Sequence, residues 1–306
     1  MHRNILRVAV FTAALVPSFS YACSCGCGVF DVGTGTMMPT DSGGTVWLQY
    51  NAVNQSQNWQ NSSAAPKDDN HDKVIRSNYF NAGIQYMFNR SWGVTSTLPF
   101  AHRFVKAEDH DIDAIAKFEH AAIGDLQVQG IYSGFSEDMS TGIKFGLKLP
   151  TGDFRYGGFD RDTSIGTGST DLLLGFYHIG LISQEYNMNW FVNGQWSHAF
   201  STQGDYRPGD ETNSAVGMYR GFALGEFGKI SPMLQLIGTY RVHDTGINAM
   251  AADTGYGRLS ISPGMEYKIN QVRLYGDVQV PVYQTVNGNQ LVPPVIMKFM
   301  VGYNFK

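Results

Sequence analysis

After residue 27 the chain has no cysteine; its three, Cys23, Cys25 and Cys27, crowd together near one end. An odd count cannot pair entirely within the chain, and thiols so close in sequence cannot staple distant parts of a large fold. Disulfides therefore do not hold this protein together. Charge is also scarce: charged residues make up 16% of the chain, with no basic run or stripe. That excludes an electrostatic nucleic-acid surface. Past the first 22 residues no uninterrupted apolar run is long enough to cross a bilayer as a helix. Glycine, by contrast, is plentiful at 35 residues, and aromatic side chains make up 13%.

Residues 1–22 read as a removable leader. Arg3 and Arg7 form a positive start, Val8 to Val16 is apolar, and Ser20-Tyr21-Ala22 fits a small-x-small cleavage site. Its loss takes both positive charges with it, so the net charge of −4 becomes −6. Cys23 would then be the first residue, and a lipidated cysteine is the rival reading, although Ser20 stands where a lipoprotein signal wants a large aliphatic residue. Residues 23–43 form a Cys- and Gly-rich segment, expected in the periplasm or as a plug in a lumen. Residues 44–306 form one β domain.

The pattern in that domain is period two. In Ile143-Lys144-Phe145-Gly146-Leu147-Lys148-Leu149, apolar residues alternate with polar or small ones, as in a strand with one greasy and one wet face. Val295, Met297, Phe299, Val301, Tyr303 and Phe305 share one face of a further segment, and Arg273, Asp277 and Gln279 are out of phase with Leu274, Val278 and Val280. About twelve such segments occur. Short connections near Arg90, Glu137, Gln184, Lys229 and Asn270 alternate with long ones near Pro66, His110, Phe159, Tyr206, Ala251 and Asn287. A soluble sandwich gives no reason for that regularity, whereas an up-and-down transmembrane barrel has short periplasmic turns, long extracellular loops and an even strand number. The expected fold is therefore all-β: an antiparallel outer-membrane barrel of about 12 strands, in the cell outer membrane of a Gram-negative bacterium. Aromatics agree. Phe88, Trp92, Phe135, Trp190, Phe227, Tyr267 and Phe305 lie beside the short turns, and Phe100, Phe200, Tyr240 and Tyr283 beside the long loops, as two interfacial girdles require. Tyr303-Asn304-Phe305 resembles the aromatic-ended final strand read by the barrel-assembly machinery, with Lys306 following it.

In a barrel, the polar residues of each strand face the lumen. The predicted lumen charges are Lys144, Lys148, Arg241, Glu266, Lys268, Arg273, Asp277 and Lys298, with Gln49, Asn51, Gln85, Gln127, Gln129 and Gln279 among them. Both signs occur, so the charges are expected to pair across a narrow bore that side chains largely fill. Carboxylates and His71 and His110 gather in two loops, around Asp68, Asp69 and Asp72 and around Glu108 to Asp113. They could suit a hard cation, but acidic outer loops are more often simply solvated, and no EF-hand pattern is present. Ser197 and His198 are adjacent in a strand and point to opposite faces. No nucleophile–base pair stands at a workable spacing, so no enzyme is expected.

Two motifs remain. Leu149-Pro150-Thr151-Gly152-Asp153, followed by Gly166-Thr167-Gly168-Ser169-Thr170-Asp171 and an apolar return strand, resembles the outer-membrane transporter family grouped with the meta-pathway of phenol degradation. The resemblance implies a channel for small, hydrophobic or aromatic solutes, with membrane lipid and lipopolysaccharide around it and no catalytic residue. Cys23-Ser24-Cys25-Gly26-Cys27-Gly28 lies outside it and carries the alternative reading. Two or three thiolates suit Cu(I) better than zinc, which wants four ligands and wider spacing. On that reading the barrel is a scaffold whose cysteines hold copper and meet a periplasmic redox or metal protein.

Overall fold

The computed structural model describes residues 38–39, 42–67, 70–109 and 114–306. Twelve antiparallel strands close into one barrel. They are β1 (Gly43–Gln55), β2 (Asp72–Met87), β3 (Trp92–Asp109), β4 (Ala114–Ile123 and Leu126–Tyr132), β5 (Thr141–Leu149) and β6 (Ser169–Ser183). The chain continues with β7 (Met188–Thr202), β8 (Glu211–Arg220), β9 (Lys229–Arg241), β10 (Tyr256–Ile269), β11 (Val272–Val286) and β12 (Ile296–Phe305). Each pairs with its sequence neighbours, and β12 returns to β1 in a register that sets Gly44 opposite Phe305 and Val53 opposite Ile296.

Alternation decides which way each side chain points. On β12 the pattern is strictly buried–exposed, with Met297, Phe299, Val301 and Tyr303 outside and Ile296, Lys298 and Met300 inside. Ile143, Phe145, Leu147, Leu274, Val278 and Val280 are likewise exposed. So large an apolar exterior needs lipid around it. Both aromatic girdles belong to that exterior: Phe88, Trp92, Phe135 and Phe227 at one end, Phe100, Phe200, Tyr240 and Tyr283 at the other.

Strand heights are uneven. Sequence periodicity ends the third strand at Val105 and starts the fourth at Ile123, but β3 runs on to Asp109 and pairs with Ala114–Ile123 as a tall hairpin. Its alternation is hidden by charged residues on the outward face: Lys106, Lys117 and Glu119 replace the apolar residues that mark a lipid-facing strand. On the neighbouring side β5 stops at Leu149, opposite Leu126. The segment Ala114–Ile123 therefore has β3 on one side and no strand on the other. Asn289–Val292, which reads as loop, forms a small second sheet with Gln57–Gln60 and Ser63–Ala64. All four of its residues are buried, and Leu291 packs on inward-facing Ile75, Val105 and Ala107 across the outer mouth.

Candidate functional site

The interior is layered. Nearest the turns between strands it is apolar. Met87, Ile131, Tyr177, Phe191, Ala215 and Ile237 form one buried cluster with Met139 and with Met38, a residue that precedes β1. Trp47, Met233, Tyr275 and Met300 form a second cluster. Gly83 allows this packing, because a Cβ there would fall 2.1 Å from the Trp47 indole. Beside these clusters a cavity of about 560 Å³ opens to the turn side, lined by Lys268, Arg273, Thr45, Asn304 and Met38.

Above lies a polar layer. Gln129 donates to Gln195 at 3.1 Å. Gln235 donates to the Tyr275 hydroxyl at 3.0 Å, which donates in turn to Asp277 at 2.5 Å. Asp277 faces Lys298 across the β11–β12 ladder, and Lys298 faces Asn51 across β12–β1.

The third layer is charged and is built by the β5–β6 loop folding inward. Its organising point is a break in β4. Gly124 N–H donates to Pro99 C=O at 2.8 Å, but proline has no N–H to return. On the opposite edge the Thr151 hydroxyl fills in: it accepts from Leu126 N–H at 2.9 Å and donates to Gly124 C=O at 3.0 Å. Asp125, freed from the ladder, turns into the barrel and clasps both limbs of the loop. One oxygen accepts Gly152 N–H at 3.0 Å; the other accepts Thr167 N–H at 2.8 Å and the Thr167 hydroxyl at 2.6 Å. The limbs close on two glycines, since a Cβ on Gly152 would lie 2.8 Å from the Gly166 Cα. Lys148 completes the clasp at 2.5 Å from Asp171 and 3.9 Å from Asp125, with every partner buried. The Leu149–Asp153 and Gly166–Asp171 stretches are thus the two limbs of one clasp.

Arginines carry the loop further in. Buried Arg103 donates to the carbonyls of Thr163 and Ser164, to Ser77 and to the Tyr79 hydroxyl. Arg161 sits between the Phe154 and Tyr206 rings, 4.7 Å from each, and donates to Thr167 C=O at 3.0 Å. Burial pushes the Tyr206 phenol well above its ordinary value, so the proton stays on to be donated to Asp244 at 2.6 Å. Asp244 also pairs with Arg241 at 2.7 Å. Below the loop is a second cavity, of about 150 Å³, with Trp47, Tyr79, Pro99, Ala101 and Ile165 on its apolar side and mostly polar side chains around the rest, among them Asn81, Gln85, Gln127, Gln129, Lys144 and Arg241. It reaches the wall at Pro99 and Gly124, where the exterior is Leu98, Phe100 and Ile123.

The residues expected in the lumen all face inward. Lys148 and Arg241 belong to the clasp layer, Lys144 to the small cavity, and Asp277 and Lys298 to the polar layer. Glu266 and Arg273 stand 4.0 Å apart near the turn-side mouth. Cys23, Cys25 and Cys27 lie outside the described residues, as do the loop acids Asp68, Asp69, Asp111 and Asp113. Glu108 pairs with Lys73 at 2.8 Å, and no group of metal-ligating side chains occurs among the described residues. Sequence reasoning missed Trp47, Arg103, Asp125 and Arg161. Asp125 carried a signal: an acid after glycine, inside an otherwise apolar run, marks a broken strand.

No family model and no curated protein matches the chain, so the family resemblance rests on its motifs. Solved structures do match in fold. The COG4313 outer membrane channel from Pseudomonas putida F1 superposes with a TM-score of 0.66 at 11% identity, over 90% of this chain and 100% of that one. The beta domain of the Bordetella autotransporter BrkA superposes at 0.52 and 10% identity, over 87% and 100%. This chain has the fold of an outer-membrane barrel.

Proposed function

We propose that the protein is an outer-membrane channel for small apolar or aromatic solutes. The observation that carries this reading is the cavity beside the β4 break. It sets Trp47, Tyr79, Pro99, Ala101 and Ile165 directly behind a wall position where the ladder is broken and the outside is apolar. The axial route is crowded at three heights, by Leu291, by the β5–β6 loop and by the Trp47 cluster. A wide aqueous pore would have to pass all three; an apolar solute exchanging with the cavity through the wall would not. The apolar side would hold a ring or alkyl group, and the polar side chains around it would fix its orientation. The COG4313 fold match agrees with a channel but does not name a solute.

The test pairs two measurements on purified protein. Bilayer recordings should show small or rare openings, and a naphthalene-type fluorophore should bind and exchange energy with tryptophan in a way that Trp47→Ala weakens. Large steady conductance with no fluorophore binding would overturn the proposal. The copper scaffold reading gains nothing from the described residues. Metal content of the reduced protein against a triple Cys→Ser variant decides it.

A further inference from the structure

The outward face of the tall β2–β3–β4 region changes character abruptly. Its last apolar row is aromatic: Tyr50, Phe80 and Phe100 lie side by side, with ring centroids 5.1 Å and 6.4 Å apart along the series. Above it, two residues at a time, come Asn78 with His102, then Arg76 with Phe104 and Glu119, then Val74 with Lys106 and Lys117. Among the described residues, the two acids in or beside this patch each already have a partner. Glu119 meets His102 at 2.7 Å, and Glu108 meets Lys73 at 2.8 Å. Arg76 lies 5.8 Å from the Phe104 ring centroid. Among the described residues no ion pair involves Arg76, Lys106 or Lys117.

Lys106 and Lys117 are directly opposed on adjacent strands. Like charges in that position repel and destabilise a sheet. Their cost is relieved if an anion bridges them. The aromatic row fixes the height of the patch: aromatic belts sit at the membrane–water interface, so these cations stand just beyond it, on the loop side. In an outer membrane the groups at that height are phosphates of the outer leaflet. We infer that Arg76, Lys106 and Lys117 form a binding site for the phosphorylated glucosamine headgroup of lipopolysaccharide, with Tyr50, Phe80 and Phe100 against its acyl chains. Two lysines and an arginine supply charge-assisted hydrogen bonds to phosphate, and the aromatic row, two rows below Arg76 and three below the lysines, supplies apolar contact deeper in the leaflet. This site is independent of the lumen and of any solute passing through it.

The experiment uses the full barrel in detergent with three probes: bisphosphorylated lipid A, the same lipid with its phosphates removed, and inorganic phosphate. Bound lipid is counted by native mass spectrometry. Bisphosphorylated lipid A should bind. The Arg76→Gln, Lys106→Gln, Lys117→Gln triple variant should bind it about tenfold or more weakly. A charge-preserving variant, Lys106→Arg with Lys117→Arg, should bind as the native chain does. Equal binding of dephosphorylated lipid A would reduce the site to acyl contact and overturn the inference. So would binding of inorganic phosphate at the same concentrations, or a triple variant that binds normally. If the triple variant does not refold, the dephosphorylated lipid and the charge-preserving variant still decide.

Discussion

The two ends of the barrel interior are filled by different chemistry. At the turn side, Phe191, Tyr177, Met87 and Ile131 exclude water by apolar packing. At the loop side, Asp125, Lys148, Asp171 and Arg103 do so by satisfied charge. Apolar packing is non-directional and tolerates exchange of similar volumes. A buried charge network is directional, and removing one member strands the rest. The turn-side filling should therefore degrade gradually under mutation and the clasp abruptly.

Lys148→Met tests this most severely. It leaves Asp125 and Asp171 buried with their shared cation gone, at a cost of about 3–5 kcal/mol. A large fall in thermal midpoint and larger single-channel currents are expected. An unchanged midpoint would mean that the clasp is not what seats the loop. Next is Phe191→Ala, which empties a fully buried ring position and should cost about 3 kcal/mol. Currents should barely change, because the clasp above is intact; a current increase as large as that from Lys148→Met would erase the distinction between layers.

Smaller effects sharpen it. Lys144→Glu, in the small cavity, and Arg273→Glu, at the turn-side mouth, should each shift ion preference toward cations. Reversal potentials in a salt gradient would show it, and a shift at only one position would show which layer limits ion passage. The smallest effect is that of acid on the loop. The Arg155 N–H, followed by the His120 side chain, holds the Asp153 carboxyl below its ordinary range. A carboxylate with a depressed folded-state value contributes stability that is present above its unfolded value and lost as pH falls through the folded one. Loop seating should thus be unchanged from neutral pH down to about pH 5 and loosen only below about pH 4, modestly because Asp153 is largely exposed. Protease cleavage between 153 and 160, followed over pH, would report it. Loosening already near pH 6 would show that Asp153 does not control it.

The strand pattern was legible because lipid imposes it: Ile143, Phe145 and Leu147 alternate with Lys144, Gly146 and Lys148 as a barrel wall must. The lumen side followed by phase, and Lys148, Arg241 and Asp277 were found inside for that reason. The tall β3–β4 hairpin was not legible, since Lys106, Lys117 and Glu119 stand on its outward face where a lipid-facing strand carries apolar residues. Nor was the turn-side apolar filling, because Phe191 and Met300 sit in positions where the period predicts only that something faces inward. The loop motif was visible as a pattern, but its meaning depended on Asp125, which is distant in sequence and contributes through a hydrogen-bond geometry that periodicity cannot express.

The pairing of β12 with β1 also sets a timetable. Every other neighbour in the barrel is adjacent along the chain, so those hairpins can zip as they arrive. The joint between Gly44 and Phe305 is the exception, spanning the whole domain. Until it forms, the sheet has two raw edges, each ready to recruit a stranger. Whatever machinery inserts this protein must hold the first strand in waiting until the twelfth is delivered. A substitution that weakens only this joint should stall maturation while leaving each hairpin intact.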